Sequence, residues 1–96
     1  MATTTDDMIR GIGWTPARFR RLRELAGQHV LPRYEFRKDL CEAIGVTERS
    51  WFRWEHGQTS CDYARRLMIG QWCAENLPRE AFEELAASPE AVEALV

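Results

Sequence analysis

The chain has 96 residues, 45% of them hydrophobic, and a formal net charge of -2, which is enough for one domain with a modest single core. No segment approaches the run of about 18 apolar residues that a membrane span needs, and the N-terminus lacks the apolar core of a secretory signal peptide, so we expect a cytoplasmic protein. The cysteines number three and none are closely spaced, which argues against a disulfide framework.

Charge is unevenly distributed along the chain. Residues 10–66 carry twelve basic and seven acidic side chains, a balance of +5, whereas residues 67–96 carry one basic and six acidic side chains, a balance of -5. A basic part and an acidic part are typical of a protein with one face toward nucleic acid and one away from it. The alternative is that these charges only solvate helix surfaces.

Residues 1–13 are rich in threonine and aspartate with little periodicity, and we predict a flexible N-terminal arm. A first helix should begin at Pro16, with Thr15 as its N-cap, and end at Gly27. Its apolar face comprises Phe19, Leu22, Leu25 and Ala26. The arginines around that face either are solvated or contact DNA phosphates, namely Arg18, Arg20, Arg21 and Arg23. Residues 29–36 are predicted to be a loop.

Residues 40–57, LCEAIGVTERSWFRWEHG, have the spacing of two short helices joined by a tight turn. The first helix takes one apolar face from Leu40, Cys41 and Ile44. Gly45 should end it, because glycine adopts the left-handed conformation after a helix C-terminus at little cost. Val46 is predicted to fill the corner between the two helices.

The second short helix should have one buried and one open face. Thr47 is a suitable N-cap, and Gly57 should end the helix. Trp51 and Trp54, three residues apart, fall on one face, which favours packing in the core over the alternative of stacking on bases. The open face then carries Glu48, Arg49, Phe52 and Arg53.

Three further helices are predicted after Gly57. The first has Ser60 as its N-cap, an apolar face of Ala64, Leu67, Met68 and Trp72, and an end at residues 76–78. An amphipathic helix over residues 79–87 and a short one over residues 88–95 follow. Their apolar faces either complete the core or form a dimer seam, and we favour the seam because a small DNA-binding unit gains affinity by pairing with a copy of itself.

The segment GVTERSWFRWEHG resembles the turn and recognition helix of the lambda-repressor-like (XRE-type) helix-turn-helix family. The matching positions are Cys41, Gly45, Val46, Thr47, Trp51, Trp54, Glu55 and Gly57. The resemblance covers about residues 15–77 and implies an all-α bundle of five or so short helices, with its third helix in the DNA major groove. The chain departs from the family in the long stretch from Gly27 to Arg37 and in the bulky ring of Trp51.

The resemblance also implies which residues touch DNA. Base contacts would come from Glu48, Arg49 and Arg53, and arginine can pair with guanine through two hydrogen bonds. Phe52 either contacts thymine methyl groups or is covered by a neighbouring helix. Phosphate contacts would come from Arg37, Lys38, Thr47 and Ser50. Glu55 is expected to make a structural hydrogen bond or ion pair instead of touching a base.

An enzyme is the weaker of two rival interpretations. His29 and His56 stand in no metal-binding or catalytic pattern, and no phosphate-cradling glycine loop occurs, so we expect no cofactor, no metal and no catalysis.

The stronger rival is a protein-interaction module such as an antitoxin, in which an acidic C-terminal segment binds a basic toxin. The motif itself favours a homodimeric repressor of a bacterium or phage that binds double-stranded DNA at an inverted repeat. The domains are therefore predicted as an arm over residues 1–13, a DNA-binding domain over residues 14–77 and a C-terminal extension over residues 78–96.

Overall fold

The protein is an all-α bundle in a computed structural model that describes residues 2–30 and 33–88, apart from the side chains of residues 33, 34, 36 and 37. These parts contain six helices and no strand: α1 (Thr5–Ile9), α2 (Pro16–His29), α3 (Arg33–Ile44), α4 (Glu48–Glu55), α5 (Tyr63–Asn76) and α6 (Arg79–Ala87). The predicted fold class is confirmed. None of the helices in this part of the chain combines the length and apolar character that crossing a membrane requires.

The N-terminal segment is not the flexible arm that its composition suggested. Thr4 and Asp7 form a capping box, in which the backbone N–H of each donates to the side chain of the other at 3.0 and 3.2 Å. This motif satisfies two unpaired donors at a helix start, and α1 follows from it. Met8, in that helix, is completely buried. The prediction was wrong because one capping box and one buried methionine leave no periodic signal in so short a segment.

Helix α1 packs unusually close to α5 at Gly70. A Cβ atom added to this glycine would lie 2.3 Å from the carbonyl oxygen of Met8. Glycine in the interior of a helix is usually unfavourable by about 1 kcal/mol relative to alanine. Here the absent side chain allows the backbones of the two helices to meet.

The start of α2 agrees with prediction and its end does not. The Thr15 hydroxyl accepts from the backbone N–H of Arg18 at 3.3 Å, and Pro16 is the first helical residue. The helix continues through Gly27, since the N–H of Val30 still donates to the carbonyl of Ala26 at 2.8 Å. Because α3 already begins at residue 33, the predicted loop over residues 29–36 is also wrong. Longer helices occupy much of the stretch that departed from the family pattern.

An aromatic cluster lies at the centre of the core. The ring of Phe19 is 5.4 Å from Trp14, 5.3 Å from Trp51 and 5.7 Å from Trp54, measured between centroids. The two tryptophans of α4 are 5.9 Å apart in an edge-on arrangement. This cluster joins the connection before α2, α2 itself and α4.

Helix α6 has the bounds predicted from the sequence, and its apolar face completes the core. The face consists of the buried residues Ala81, Phe82, Leu85 and Ala86. That face is therefore not a dimer seam, as we had favoured, because it is already covered within one chain. The short helix predicted over residues 88–95 lies outside the described residues, except for Ser88, which caps α6.

Helix α5 differs from prediction in its cap and in its buried face. Its N-cap is Asp62, whose side chain accepts from the N–H of Arg65 at 3.3 Å, and not Ser60. Ile69, Gly70 and Cys73 face the core, whereas Met68 is 43% exposed. Three residues of the predicted apolar face, Leu67, Met68 and Trp72, instead line an open groove of about 480 Å³ between α1, α3 and α5. The fourth, Ala64, is exposed.

Candidate nucleic-acid interface

The turn between α3 and α4 is built by glycine. Gly45 has a φ of 73°, in the left-handed region. The N–H of Val46 donates to the carbonyl of Cys41 at 3.0 Å, and the N–H of Gly45 donates to that of Glu42 at 3.3 Å, which is the hydrogen-bond pattern of a Schellman motif. Val46 packs against the core. The predicted roles of Gly45 and Val46 are confirmed.

The first helix of this pair presents the apolar face that its spacing predicted. Leu40, Cys41 and Ile44 are between 0 and 3% exposed. Lys38, on the same helix, is exposed. The side chain of Arg37 lies outside the described part of the structure, so its expected phosphate contact stays a prediction.

Thr47 caps α4 as predicted. Its hydroxyl oxygen accepts from the backbone N–H of Ser50 at 3.1 Å, and the two hydroxyl oxygens are also 3.1 Å apart. Thr47 is exposed and Ser50 is half-buried. Two of the four residues proposed for phosphate contact, Thr47 and Ser50, thus lie at the N-terminus of α4, where backbone N–H groups favour an anion.

The inner face of α4 is held by two buried indoles. Trp51 is 0% and Trp54 is 6% exposed, so their predicted place in the core is confirmed and neither is available to stack on bases. Helix α4 ends at Glu55 with His56 as its C-cap, and Gly57 follows with a φ of 68°, so its predicted role in ending the helix is confirmed. Trp51 also makes a polar contact within the helix, since its Nε1–H donates to Oε1 of Glu55 at 2.9 Å.

Glu55 connects α4 to α2. Its carboxylate is 1% exposed and accepts from Nε of Arg23 at 2.6 Å. The guanidinium of Arg20 donates to the backbone carbonyl of the same glutamate. The structural role predicted for Glu55 is confirmed.

The arginines of α2 make hydrogen bonds to other parts of the same chain. Arg18 is only 4% exposed and donates to the carbonyls of Gly13, Ala86 and Ser88 at 2.7, 3.0 and 3.1 Å. Arg20 and Arg23 are both held at Glu55 and are half-buried, so these three side chains are engaged within the fold. The interpretation as a solvated surface was therefore wrong, because α2 lies between α4 and α6, which supply acceptors from distant parts of the chain. Contact of these arginines with phosphate stays a prediction.

The fourth arginine of the cluster is bound in the same way. Arg21 contacts the carboxylates of Glu24, at 2.8 Å, and of Glu84. The hydrogen bond with Glu24, reinforced by Glu84 and opposed by partial burial, raises the pKa of the Arg21 guanidinium. The basic surface of the protein is therefore smaller than the count of basic residues implies.

The outer face of α4 brings together the residues predicted to read bases. Glu48 and Arg49 are exposed, Phe52 is 44% exposed and Arg53 is half-buried. Within residues 2–30 and 33–88, neither of these two arginines makes a side-chain hydrogen bond or ion pair. They are thus open to a partner, in contrast to the arginines of α2.

His56 belongs to the same face and was missed as a site residue. Its ring centroid lies 4.2 Å from that of Phe52, with 39° between the ring planes. The signal was present in the sequence, because residues four apart on a helix are neighbours.

No family model, curated protein or solved structure matches the chain. The likeness to the lambda-repressor-like family accordingly remains a resemblance. Any functional assignment depends on the geometry of α4.

The cysteines are poorly placed for nucleophilic chemistry. All three are buried, and none forms a disulfide bond with another described residue. Burial, with a smaller effect from Asp62, raises the pKa of Cys61 to about 12, and burial likewise raises the pKa of Cys73. The thiolate is the reactive form, so both thiols are poor nucleophiles at neutral pH. Among the described residues no cluster of acidic, histidine and cysteine side chains could hold a metal ion.

Proposed function

We propose that this chain is a sequence-specific regulator that binds double-stranded DNA by inserting α4 into the major groove. The observation that carries the proposal is the two-sided character of α4. One side is fixed by Trp51, Trp54 and Glu55, all less than 7% exposed, and the other presents open arginines. A recognition helix needs both properties, because side chains can discriminate between bases only if the helix that carries them is held in place.

The open side has the chemistry to distinguish base pairs. Arg49 and Arg53 lie about 6 Å apart along the helix axis and about 40° apart around it, so both reach one groove surface. Each can donate two hydrogen bonds to O6 and N7 of a guanine. Glu48, one residue earlier, can accept from N4 of a cytosine.

Contacts with phosphate come from fewer residues than the charge distribution suggested. Lys38 on α3 and the N-terminus of α4 with Thr47 and Ser50 are the candidates among the described side chains, and Arg37 is a further one by sequence. Each phosphate neutralised adds to the salt dependence of binding. Since α2 uses its arginines internally, the salt dependence should be modest and base contacts should contribute much of the affinity.

The protein should act as a homodimer that represses transcription from an inverted repeat. A two-fold operator lets two copies of a small domain bind adjacent half-sites, which increases affinity and site length. The apolar face of α6 is buried within one chain, so pairing would use a different surface.

The experiment that tests the proposal is selection of bound duplexes from a random pool at near-physiological salt. Enrichment of a two-fold symmetric consensus would support both DNA recognition and dimerisation. Enrichment of a single asymmetric site would support recognition and reject the symmetric dimer. If no sequence is enriched, the DNA-binding proposal is rejected.

An antitoxin or similar interaction module is the second candidate, and the outer face of α6 favours it. Glu80, Glu83 and Glu84 are exposed there, with Arg79 paired to Glu83 at 3.0 Å. A net negative helix face suits a basic partner protein. Co-purification with a small basic protein, lost when Glu80 and Glu83 are both changed to lysine, would favour this function.

A further inference from the structure

Phe52 is an exposed aromatic residue on a helix whose other aromatic residues are buried. It is 44% exposed, against 0% for Trp51 and 6% for Trp54. It lies on the outer face between Glu48, one turn before it, and His56, one turn after it. The ring is apolar and its neighbours on this face are polar. Burial of the ring on binding is favourable only against an apolar group of the partner.

His56 holds the Phe52 ring in place. The two ring centroids are 4.2 Å apart, and the backbone N–H of His56 donates to the carbonyl of Phe52 at 3.2 Å. His56 is the C-cap of α4 and precedes Gly57, whose left-handed conformation turns the chain away. The end of the helix therefore fixes the backbone that carries the imidazole, and contact with the imidazole limits the positions open to the phenyl ring. A ring ordered before binding loses less conformational freedom when it binds.

The major groove offers a ring at this position one apolar group, the 5-methyl group of thymine. The other groups on the base edges there are hydrogen-bond donors and acceptors, which a phenyl ring would cover without replacing their water. We propose that Phe52, positioned by His56, reads the methyl group of a thymine next to the bases contacted by Arg49 and Arg53. This inference rests on the proposed DNA-binding function and assigns one position of the recognised sequence.

The test replaces each thymine of the selected duplex, one at a time, by deoxyuridine, which differs only in lacking the methyl group. Burial of one methyl group corresponds to about 3- to 5-fold in affinity. Wild-type protein should bind 3- to 5-fold more weakly when one particular thymine in each half-site is replaced. If no single replacement weakens binding by more than 1.5-fold, the inference is wrong.

Two variants assign the effect to residues. Phe52→Ala should bind the thymine and deoxyuridine duplexes equally well. His56→Ala should reduce the ratio of the two affinities toward one while leaving the affinity for the deoxyuridine duplex within twofold of wild type. A His56 with only a structural role would change both affinities in proportion. Arg79→Ala, at an exposed position on α6, is the matched control and should retain the full ratio.

The outcomes distinguish a failure of this inference from a failure of the proposed DNA-binding function. Failure to bind any selected duplex would overturn both. Sequence-specific binding that is insensitive to every deoxyuridine, or that stays sensitive in Phe52→Ala, would overturn the role of Phe52 alone and leave the regulator proposal standing.

Discussion

Nε of Arg23, on α2, donates to Oε1 of Glu55, on α4, across 2.6 Å, and the same oxygen accepts from the indole N–H of Trp51 at 2.9 Å. The carboxylate is almost completely buried, so its negative charge is stabilised by these hydrogen-bond donors and not by water. The contact fixes α4 from its inner side, which leaves the outer side free to bind a partner.

Removing this carboxylate should destabilise the fold. Loss of one partner of a buried ion pair typically costs about 3 to 5 kcal/mol, and we expect Glu55→Ala to lie near the lower end because the Arg23 side chain is 21% exposed. Urea denaturation measures the change. Glu83→Ala is the control, since it breaks an exposed pair with Arg79 and should cost under about 1 kcal/mol. Equal effects of the two substitutions would show that Glu55 does not anchor α4.

The aromatic residues of α4 offer a matched comparison of burial. Trp54→Ala should lower the free energy of unfolding by about 3 to 5 kcal/mol, because it leaves a cavity beside Phe19. Phe52→Ala removes an exposed ring and should change stability by about 0.5 kcal/mol or less. Thermal or urea unfolding of both variants measures this difference. A larger loss of stability for Phe52→Ala than for Trp54→Ala would contradict the assignment of Trp54 to the buried face and Phe52 to the exposed face of α4.

Gly70→Ala should destabilise the protein, although glycine-to-alanine changes inside helices usually stabilise by about 1 kcal/mol. The added Cβ would meet the backbone oxygen of Met8 at 2.3 Å, and forcing α1 and α5 apart should cost about 1 to 3 kcal/mol. Gln71→Ala, at the exposed next position, is the control for helix propensity. A more stable Gly70→Ala protein would contradict the close packing of α1 on α5.

Cys61 should make stability fall in alkaline solution. Its pKa is raised from 9.0 to about 12, so between these values the unfolded chain loses the thiol proton and the folded chain keeps it. The contribution is fully present below pH 9 and is lost as pH rises toward 12, by about 1.4 kcal/mol per pH unit. Urea titrations at pH 8 to 11 should therefore show a steeper decline for wild type than for Cys61→Ala. Parallel declines would show that the thiol is not held protonated by the fold.

Features that depend only on neighbouring residues could be predicted from the sequence. The cap at Thr47, the turn at Gly45 and the inward spacing of Trp51 and Trp54 each depend on residues within one helical turn, and each is confirmed. The open position of Arg49 and Arg53 follows from the same spacing.

Contacts between residues far apart in the chain could not be predicted from the sequence. Several partners of the α2 arginines lie 32 to 70 positions away in the chain, and these contacts have no local signature. The contacts with Gly13 and Glu24 differ, because those residues lie within five positions of their arginines. The sequence of α5 carries two apolar faces, and the choice between them depends on Gly70 meeting α1. That choice depends on the position of α1, and the sequence of α1 is too short to show a helical period.

The most direct test of the central claim compares Arg49→Ala and Arg53→Ala with the control Arg79→Ala. Dissociation constants are measured on a selected duplex and on a scrambled duplex of the same composition, at near-physiological salt. Because a bidentate arginine–guanine pair contributes about 1 to 3 kcal/mol of discrimination, each α4 variant should bind the selected duplex about 5- to 150-fold more weakly and the scrambled duplex almost unchanged, whereas Arg79→Ala should match wild type on both. Equal losses on the two duplexes, or no loss on either, would contradict base reading by α4.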